Sequence, residues 1–226
     1  MTTVFLHVAK TGGSAIKRTL RRYSKQHPEI IRLEGHPCRL ADVAAPDKAV
    51  FSVRDPVERF VSGFNTRLRK GFPRRDGEWR ESERWAFERF PTANSLAEAL
   101  SDPERAADAR QAMAGINHVN TFLKTWLGSA AYVEERAADI LMICWTKELD
   151  ADFRRMKALL GLPESLVLPT DEVGTHRTPD GFDRRLSERA VENVRAWYAD
   201  DFPIYETCLA LRRRLIEAAA PSSAVA

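Results

Sequence analysis

The sequence predicts an α/β fold in which helices cover both faces of a central parallel sheet. Short apolar runs alternate with segments of helical periodicity, a pattern typical of parallel strands joined by crossover helices. The first run, residues 4–8, is apolar almost throughout, as expected for a strand that is buried on both faces. Titratable residues follow three of these runs closely: Lys10, His36 and Arg54.

Length and composition favour one domain with a substantial core. The chain has 226 residues, of which 44% are hydrophobic, and a net charge of +3. This mildly basic balance suits an anionic ligand but is too small to indicate nucleic acid. Three widely separated cysteines indicate neither a disulfide framework nor a zinc site. Since the first strand starts at residue 4 and no apolar run reaches membrane-spanning length, we expect a soluble, cytoplasmic protein.

The first strand breaks at a short polar loop and is followed by a helix. Ile16, Leu20 and Tyr23 recur at helical spacing, and this helix is predicted to end near Tyr23. The loop residues that we expect to bind an anion are Lys10, Thr11, Gly12, Gly13, Ser14 and Ala15. Glycines permit a sharp turn and close approach, while the helix N-terminus offers unpaired N–H groups. This is not a Walker A loop, in which the lysine follows the glycines.

The second and third strands bring further polar groups to the same edge. Residues 29–33 form the predicted second strand, followed by His36, and residues 49–53 form the third, followed by Arg54. Asp55 is the predicted N-cap of the next helix, with proline in its first turn. Ligands of parallel α/β sheets bind at the carboxyl ends of strands, so we expect Lys10, His36 and Arg54 to lie together.

The rest of the chain predicts one more strand and several helices. Helices are expected from about residue 102 and over residues 121–127; a strand over 139–145; a helix over 148–160; a polar loop over 168–183; and closing helices over 187–199 and 204–218. We therefore predict a single domain over residues 1–218 and a frayed tail over residues 219–226.

These residues together resemble the sulfotransferases that use 3′-phosphoadenosine 5′-phosphosulfate (PAPS). The likeness is to the bacterial and Golgi carbohydrate type, which includes the heparan sulfate 2-O-sulfotransferase group. It rests on residues 5–15 and 53–62, with weaker similarity at Gly35-His36, residues 173–178 and residues 197–206. The first two motifs, in this order and spacing, carry most of the weight.

The resemblance implies a P-loop-like, three-layer fold and a donor that is held at two anion sites. The first loop would bind the 5′-phosphosulfate through Lys10, backbone N–H groups, and the Thr11 and Ser14 hydroxyls. Arg54, with its planar fork of donors, and Ser62 would bind the 3′-phosphate. The late loop with Thr175, His176 and Arg177 would close over the nucleotide. An ordinary ion pair of Arg54 with Asp55 or Glu58 is the alternative.

The expected catalytic residues are Lys10, which would neutralise the leaving group, and His36, the general base. Histidine has a suitable unperturbed pKa, and a positioned base contributes about 10²–10⁴ in rate. His7 is expected to be a core or subsite histidine, His118 either a cleft or a helix-start residue, and His27 a surface residue. No group of residues has metal-ligand spacing, and the chemistry requires no metal.

The expected partner is an acceptor hydroxyl on a carbohydrate or small molecule. Residues 67–138 form a predicted helical insert, either a solvated surface or an acceptor-binding lid; its acidic residues offset the arginines, so nucleic acid is not indicated. Two alternatives stay open: a P-loop-like nucleotide kinase or NTPase, and a non-catalytic nucleotide-binding module. Against the kinase, residues 140–145 run into Thr146-Lys147 rather than into a Walker B aspartate.

Overall fold

A computed structural model describes residues 1–171 and 182–219, and in that part of the chain four strands form one parallel sheet. The strands are β1 (Thr3–Leu6), β2 (Ile31–Leu33), β3 (Lys48–Val53) and β4 (Ile140–Trp145), in the order β2-β1-β3-β4. All four predicted strands are confirmed. The second is shorter than expected because the backbone N–H groups of Ile30 and Ile31 both donate to the His27 carbonyl and form a turn.

Helices cover both faces of the sheet, and further helices form a separate region beside it. They are α1 (Gly13–Gln26), α2 (Pro56–Leu68), α3 (Glu81–Arg89), α4 (Ala93–Ala99), α5 (Ala106–Gly115), α6 (Lys124–Leu127), α7 (Ala130–Glu135), α8 (Leu149–Leu160), α9 (Glu188–Trp197) and α10 (Asp201–Ala219). The predicted start of α5 was too early because residues 102–105 form a turn, and α6 is a single turn within the range expected.

The side chains of β1 show why the fold has three layers. Val4 and Leu6 pack into a core with residues of α6, α7 and α10 on one face of the sheet. Phe5 points the other way and packs with Ile16 of α1 and Phe153 of α8. Because successive side chains of a strand face opposite sides, a strand that is fully buried on both faces must be apolar throughout. The predicted three-layer α/β fold is therefore confirmed.

Helices α2 to α5 and α9 share a separate core away from the sheet. It includes Phe60 and Phe64 of α2, Phe87 of α3, Leu96 of α4 and Val194 of α9. Much of the predicted insert over residues 67–138 thus packs on α2. The single domain over residues 1–218 stays a prediction, and all but the first residue of the predicted tail lie outside the described residues.

Strand order fixes where polar loops converge. The chain leaves β1 toward β2 on one side and leaves β3 toward β4 on the other, although β1 and β3 are neighbours. In parallel sheets such a divergence opens a crevice at the carboxyl ends of the two strands. The loops that follow β1 and β3 contain Lys10 and Arg54, so the crevice lies between these two predicted site residues.

Two further observations concern the chain as a whole. Of the helices in the described residues, none is long and apolar enough to cross a membrane. Cys38, Cys144 and Cys208 are free thiols.

A buried ion pair joins α2 to α10. Arg59 and Asp201 are both fully buried, with 3.3 Å between Nη2 and Oδ2. The Arg59 guanidinium also donates to the Thr121 carbonyl, and Asp201 Oδ1 accepts from the Leu123 backbone N–H at 2.8 Å. The pair therefore fixes the segment before α6 between the two helices.

We expect Asp201→Ala to lower the free energy of unfolding by about 3–5 kcal/mol, because it leaves the Arg59 charge buried without a partner. Urea denaturation measures this change. Asp200→Ala is the matched control, since the neighbouring Asp200 is exposed and its partner Lys124 lies 2.8 Å away on the surface. Equal losses in the two variants would contradict a special role for the buried pair.

Candidate functional site

The loop between β1 and α1 is fastened from inside by Thr11, whose side chain is fully buried. Its hydroxyl donates to the Val8 carbonyl at 2.9 Å and lies 2.8 Å from the Ser52 hydroxyl on β3. Its carbonyl accepts from the Thr146 hydroxyl after β4 at 3.2 Å. The Thr11 hydroxyl, expected to face a ligand, is thus engaged within the protein, and the loop offers mainly backbone N–H groups.

Glycines are required at the two positions where the loop turns into α1. Gly12 has a φ of 89°, in the left-handed region that favours glycine. A Cβ at Gly13 would lie 2.9 Å from the Cδ2 atom of His7, so only glycine fits against that ring. Among the described residues no side chain caps the N-terminus of α1, although Ala15 donates to the Gly12 carbonyl at 3.1 Å. The first turn therefore has N–H groups available for the anion that the sequence analysis expects there.

Lys10 reaches across the crevice to α2. Its backbone is left-handed, with a φ of 67°, and its ammonium group donates to the Thr66 hydroxyl at 2.7 Å. Burial and the positive charges of Arg69 and Arg54 lower the pKa of Lys10 to about 7. An anion bound here would offset those charges and favour the protonated lysine.

Arg54 follows β3 at the other side of the crevice. Its Nε lies 3.4 Å from Glu58 Oε2, so the alternative pairing with Glu58 is present. This buried Nε nevertheless has no hydrogen-bond partner among the described residues. Asp55 instead caps α2, accepting from the Val57 and Glu58 backbone N–H groups at 2.9 and 3.1 Å. An anion such as a phosphate would supply the missing hydrogen bond, so the donor set of Arg54 fits that group.

A cavity of about 340 Å³ adjoins Arg54. Its lining combines charged and aliphatic side chains: Arg54, Val57, Glu58, Val61, Arg184, Leu186 and Val191. Ligand pockets of this size typically combine an apolar wall with a few polar groups that fix orientation.

A polar stripe on α2 connects the two sides of the crevice. Glu58, Ser62 and Thr66 recur every four residues and therefore share one face of the helix. Glu58 contacts Arg54, and Thr66 contacts Lys10. The partly exposed Ser62 lies midway between them, on a stripe that spans about 12 Å at 1.5 Å per residue.

Three histidines, His7, His36 and His118, form a cluster beside the loop. The rings of His7 and His36 stack with centroids 4.0 Å apart, and the ring of His118 lies 6.4 Å from that of His36. His7 Nε2 is 3.4 Å from the Ser14 hydroxyl in the first turn of α1. The cluster therefore adjoins the loop through Ser14.

The orientation of His36 is set by its backbone contacts. Its Nδ1 lies 2.9 Å from the His7 carbonyl oxygen, and since a carbonyl only accepts, Nδ1 must carry the proton. In the neutral ring Nε2 then has a free lone pair. The Trp126 indole N–H donates to the His36 carbonyl at 2.7 Å and holds the exposed residue in place.

Electrostatics keeps the cluster neutral. Partial burial of its ring lowers the pKa of His36, and the charges of Lys17, Arg75 and Lys10 lower it further, while the hydrogen bond to the His7 carbonyl opposes this shift. Burial, followed by neighbouring positive charge, lowers the pKa of His7 and of His118 to about 3 in each case. His36, the most exposed ring of the three, has the geometry of a base.

The structure brings most of the predicted site residues to one crevice. Lys10 and Ser14 belong to the loop and His36 lies beside it, while Ser62 lies on the α2 stripe and Arg54 contacts Glu58 at one end of that stripe. The predicted residues Thr175, His176 and Arg177 lie outside the described residues. Within the described ranges, no group of three or more His, Cys, Asp or Glu residues is placed to hold a metal ion.

Sequence analysis missed three hydroxyls that organise the site: those of Ser52, Thr66 and Thr146. Thr66 could have been found, because it follows Ser62 by four residues in a helix that the sequence predicts. Thr146, directly after β4, donates to the Val53 carbonyl at 2.8 Å as well as to Thr11. Its partners are distant in sequence, so no local pattern indicates them.

Comparison with known proteins identifies one family. A scan against models of protein families matches the sulfotransferase family over residues 2–206. No curated protein and no solved structure matches the chain. The matched range contains the whole sheet and every side chain of the crevice described above.

We expect the ¹⁵N spectrum of His36 at pH 8 to show a protonated Nδ1 and an unprotonated Nε2, because Nδ1 faces a carbonyl. Histidine-labelled protein and a His36→Asn variant, which removes one set of ring signals, provide the assignment. A predominant tautomer with the proton on Nε2 would contradict this orientation of the ring.

Proposed function

The chain belongs to the sulfotransferase family, and we propose that its donor is PAPS and its acceptor a hydroxyl group on a carbohydrate or small molecule. The observation that carries the proposal is the α2 stripe, which connects Lys10 to Arg54. A donor with phosphates at its 3′ and 5′ ends needs two separate anion sites. The closer likeness to the heparan sulfate 2-O-sulfotransferase group and a cytoplasmic location, favoured by the free thiols, are parts of the same proposal.

Donor binding is assigned to groups at both ends of the stripe. The N–H groups at the start of α1, the Ser14 hydroxyl and Lys10 bind the 5′-phosphosulfate. Arg54 binds the 3′-phosphate through its guanidinium group, whose buried Nε is ion-paired with Glu58 but makes no hydrogen bond within the described residues, with Ser62 beside it. The aliphatic wall of the adjoining cavity suits the nucleoside.

His36 is the proposed general base. The bound donor supplies an activated sulfuryl group, and an acceptor oxygen forms the new S–O bond as the bond to the 5′-phosphate oxygen breaks. His36 Nε2 takes the proton of the acceptor hydroxyl, and its Nδ1–H, held by the His7 carbonyl, stabilises the resulting imidazolium.

Lys10 is the proposed stabiliser of the leaving group. Negative charge grows on the nucleotide phosphate as the S–O bond breaks, and a preorganised cation in a partly buried site stabilises that charge strongly. As in phosphoryl transfer, positioning and electrostatics then account for most of the rate. Neither of the alternatives, a nucleotide kinase or a non-catalytic module, has an observation of its own in the described residues.

Thermal denaturation tests the donor. We expect 3′,5′-adenosine bisphosphate (PAP) to raise the melting temperature by several degrees, since a ligand at 100 times its Kd adds about 2.7 kcal/mol. ATP with Mg²⁺ should have a smaller effect, and Arg54→Gln should reduce the effect of PAP. Arg154→Gln, on the exposed side of α8, is the matched control. Stabilisation by ATP with Mg²⁺ alone would favour a kinase or NTPase instead.

The lowered pKa of Lys10 predicts pH-dependent donor binding. PAP favours protonated Lys10, and both its phosphates are fully ionised well above pH 6. Below pH 7 the lysine is protonated with or without PAP; above it, only the complex retains the proton. Between pH 7.5 and 9 the Kd should therefore rise with pH, by up to about tenfold per unit, with proton uptake on binding.

Calorimetry in buffers of different ionisation enthalpy measures both the Kd and the proton uptake. Lys10→Arg is the control. Because arginine stays protonated, the Kd of this variant for PAP should be nearly constant over this pH range. A wild-type Kd that does not change with pH would show that Lys10 is already charged in the free protein.

A further inference from the structure

We propose that His118 binds the acceptor: its neutral imidazole donates a hydrogen bond to the hydroxyl oxygen that His36 deprotonates. This inference rests on the proposed function and adds a residue for the acceptor. It is carried by the position of His118, close to His36 and packed on α2 next to the turn that binds Lys10. It is also carried by ring nitrogens that have no hydrogen-bond partner among the described residues, and by an unusual backbone conformation.

His118 and Lys10 are attached to neighbouring turns of α2. The His118 backbone packs on Gly63, where an added Cβ would lie 3.1 Å from the His118 carbonyl oxygen. Thr66, which binds the Lys10 ammonium group at 2.7 Å, follows Gly63 by three residues on the same helix face. His118 and the proposed leaving-group lysine therefore contact positions on α2 that are about one helical turn apart.

The ring of His118 faces the proposed base. Its centroid is 6.4 Å from that of His36, at an angle of 55° between the ring planes. His36 in turn stacks on His7, which adjoins Ser14. Contacts thus run from the donor loop through the histidine cluster to α2 and back to Lys10. On the proposed function, an acceptor oxygen would approach the sulfur atom beside these residues.

Hydrogen bonds fix the backbone of His118, while its ring remains available to bind an acceptor. Its N–H donates to Asn117 Oδ1 at 2.9 Å and its carbonyl accepts from the Thr121 hydroxyl at 3.2 Å. No residue in the described ranges hydrogen-bonds to its ring nitrogens. Burial and the charges of Lys10, His36, Arg67 and Arg59 lower its pKa to about 3, so the ring stays neutral and does not compete with His36 for the proton.

The backbone of His118 has a φ of 69°, which is uncommon outside glycine and costs about 1–3 kcal/mol when imposed by the surroundings. The flanking residues Ile116 and Val119 are fully buried, and the Asn117 N–H donates to buried Glu83 at 3.1 Å. These contacts fix the strained residue in place, as is typical of functional sites.

The proposed contact orients the nucleophile without consuming a proton. An acceptor oxygen has four directions: its carbon, its proton and two lone pairs. The proton goes to His36 Nε2 and one lone pair forms the bond to sulfur. The N–H of His118 occupies the other lone pair and so fixes the rotation of the hydroxyl.

Donor hydrolysis, with water as the smallest acceptor, tests the proposal without a known acceptor. His118→Gly removes the ring and accepts the left-handed backbone, whereas His118→Asn tolerates that backbone and keeps a hydrogen-bond donor. We expect sulfate release from labelled PAPS to fall about tenfold in His118→Gly, the effect of one lost hydrogen bond, and no more than about threefold in His118→Asn. The Kd for PAP should stay at its wild-type value in both.

His27→Asn is the matched control, because His27 lies at the surface after α1 and should not affect hydrolysis. A wild-type rate in His118→Gly, or equal losses in the glycine and asparagine variants, would overturn the proposal. So would a parallel loss of PAP affinity, which indicates a structural role. If the wild-type protein neither binds PAP nor consumes PAPS, the proposed function fails, and this inference fails with it.

Discussion

The crevice depends on one buried hydroxyl, that of Thr11. It ties the loop after β1 to the Val8 carbonyl and to Ser52 of β3, while the Thr11 carbonyl is held by Thr146 beyond β4. Three adjacent strands are thereby joined at their carboxyl ends. The left-handed residues on either side, Lys10 and Gly12, turn the chain out of the sheet and into α1. A buried hydroxyl without partners would be costly, so this set of bonds strongly favours one loop conformation.

Helix α2 is the second element on which the site is built. The apolar residues Phe60 and Phe64 anchor one face in a core, and the buried pair of Arg59 with Asp201 fixes the helix against α10. These contacts leave the opposite stripe free to face the crevice. Since residues four apart share a face, a single rigid helix sets the spacing between the residues that contact Arg54 and Lys10. The spacing between the contacts that α2 makes with Arg54 and with Lys10 is therefore set by one helix.

Patterns within a few residues of sequence predict most of the strands and the start of α2. Uniformly apolar runs identify strands buried on both faces, and Asp55 before proline identifies the start of α2, because both signals arise within a few residues. The contact between Lys10 and Thr66 joins residues 56 positions apart, and the histidine cluster draws on three separate segments. Such contacts follow from how the α2-to-α5 core packs, which no periodicity encodes. A threonine in a glycine-rich loop gives the same sequence pattern whether its hydroxyl points inward or outward. The sequence therefore predicted that the Thr11 hydroxyl faces a ligand, whereas it is bonded within the protein.

Electrostatics links the donor site to the proposed base. Burial of its ring lowers the pKa of His36 most, and the charges of Lys17, Arg75 and Lys10 lower it further, which makes it a weaker base in the free protein. A bound donor brings several negative charges to the same crevice and offsets those cations. The pKa of His36 should then rise toward its ordinary value, at the moment when an acceptor proton must be removed. On the proposed mechanism, a donor bound beside Lys10 thus removes part of what keeps the pKa of His36 low. On this proposal, charge couples donor binding to the strength of the base.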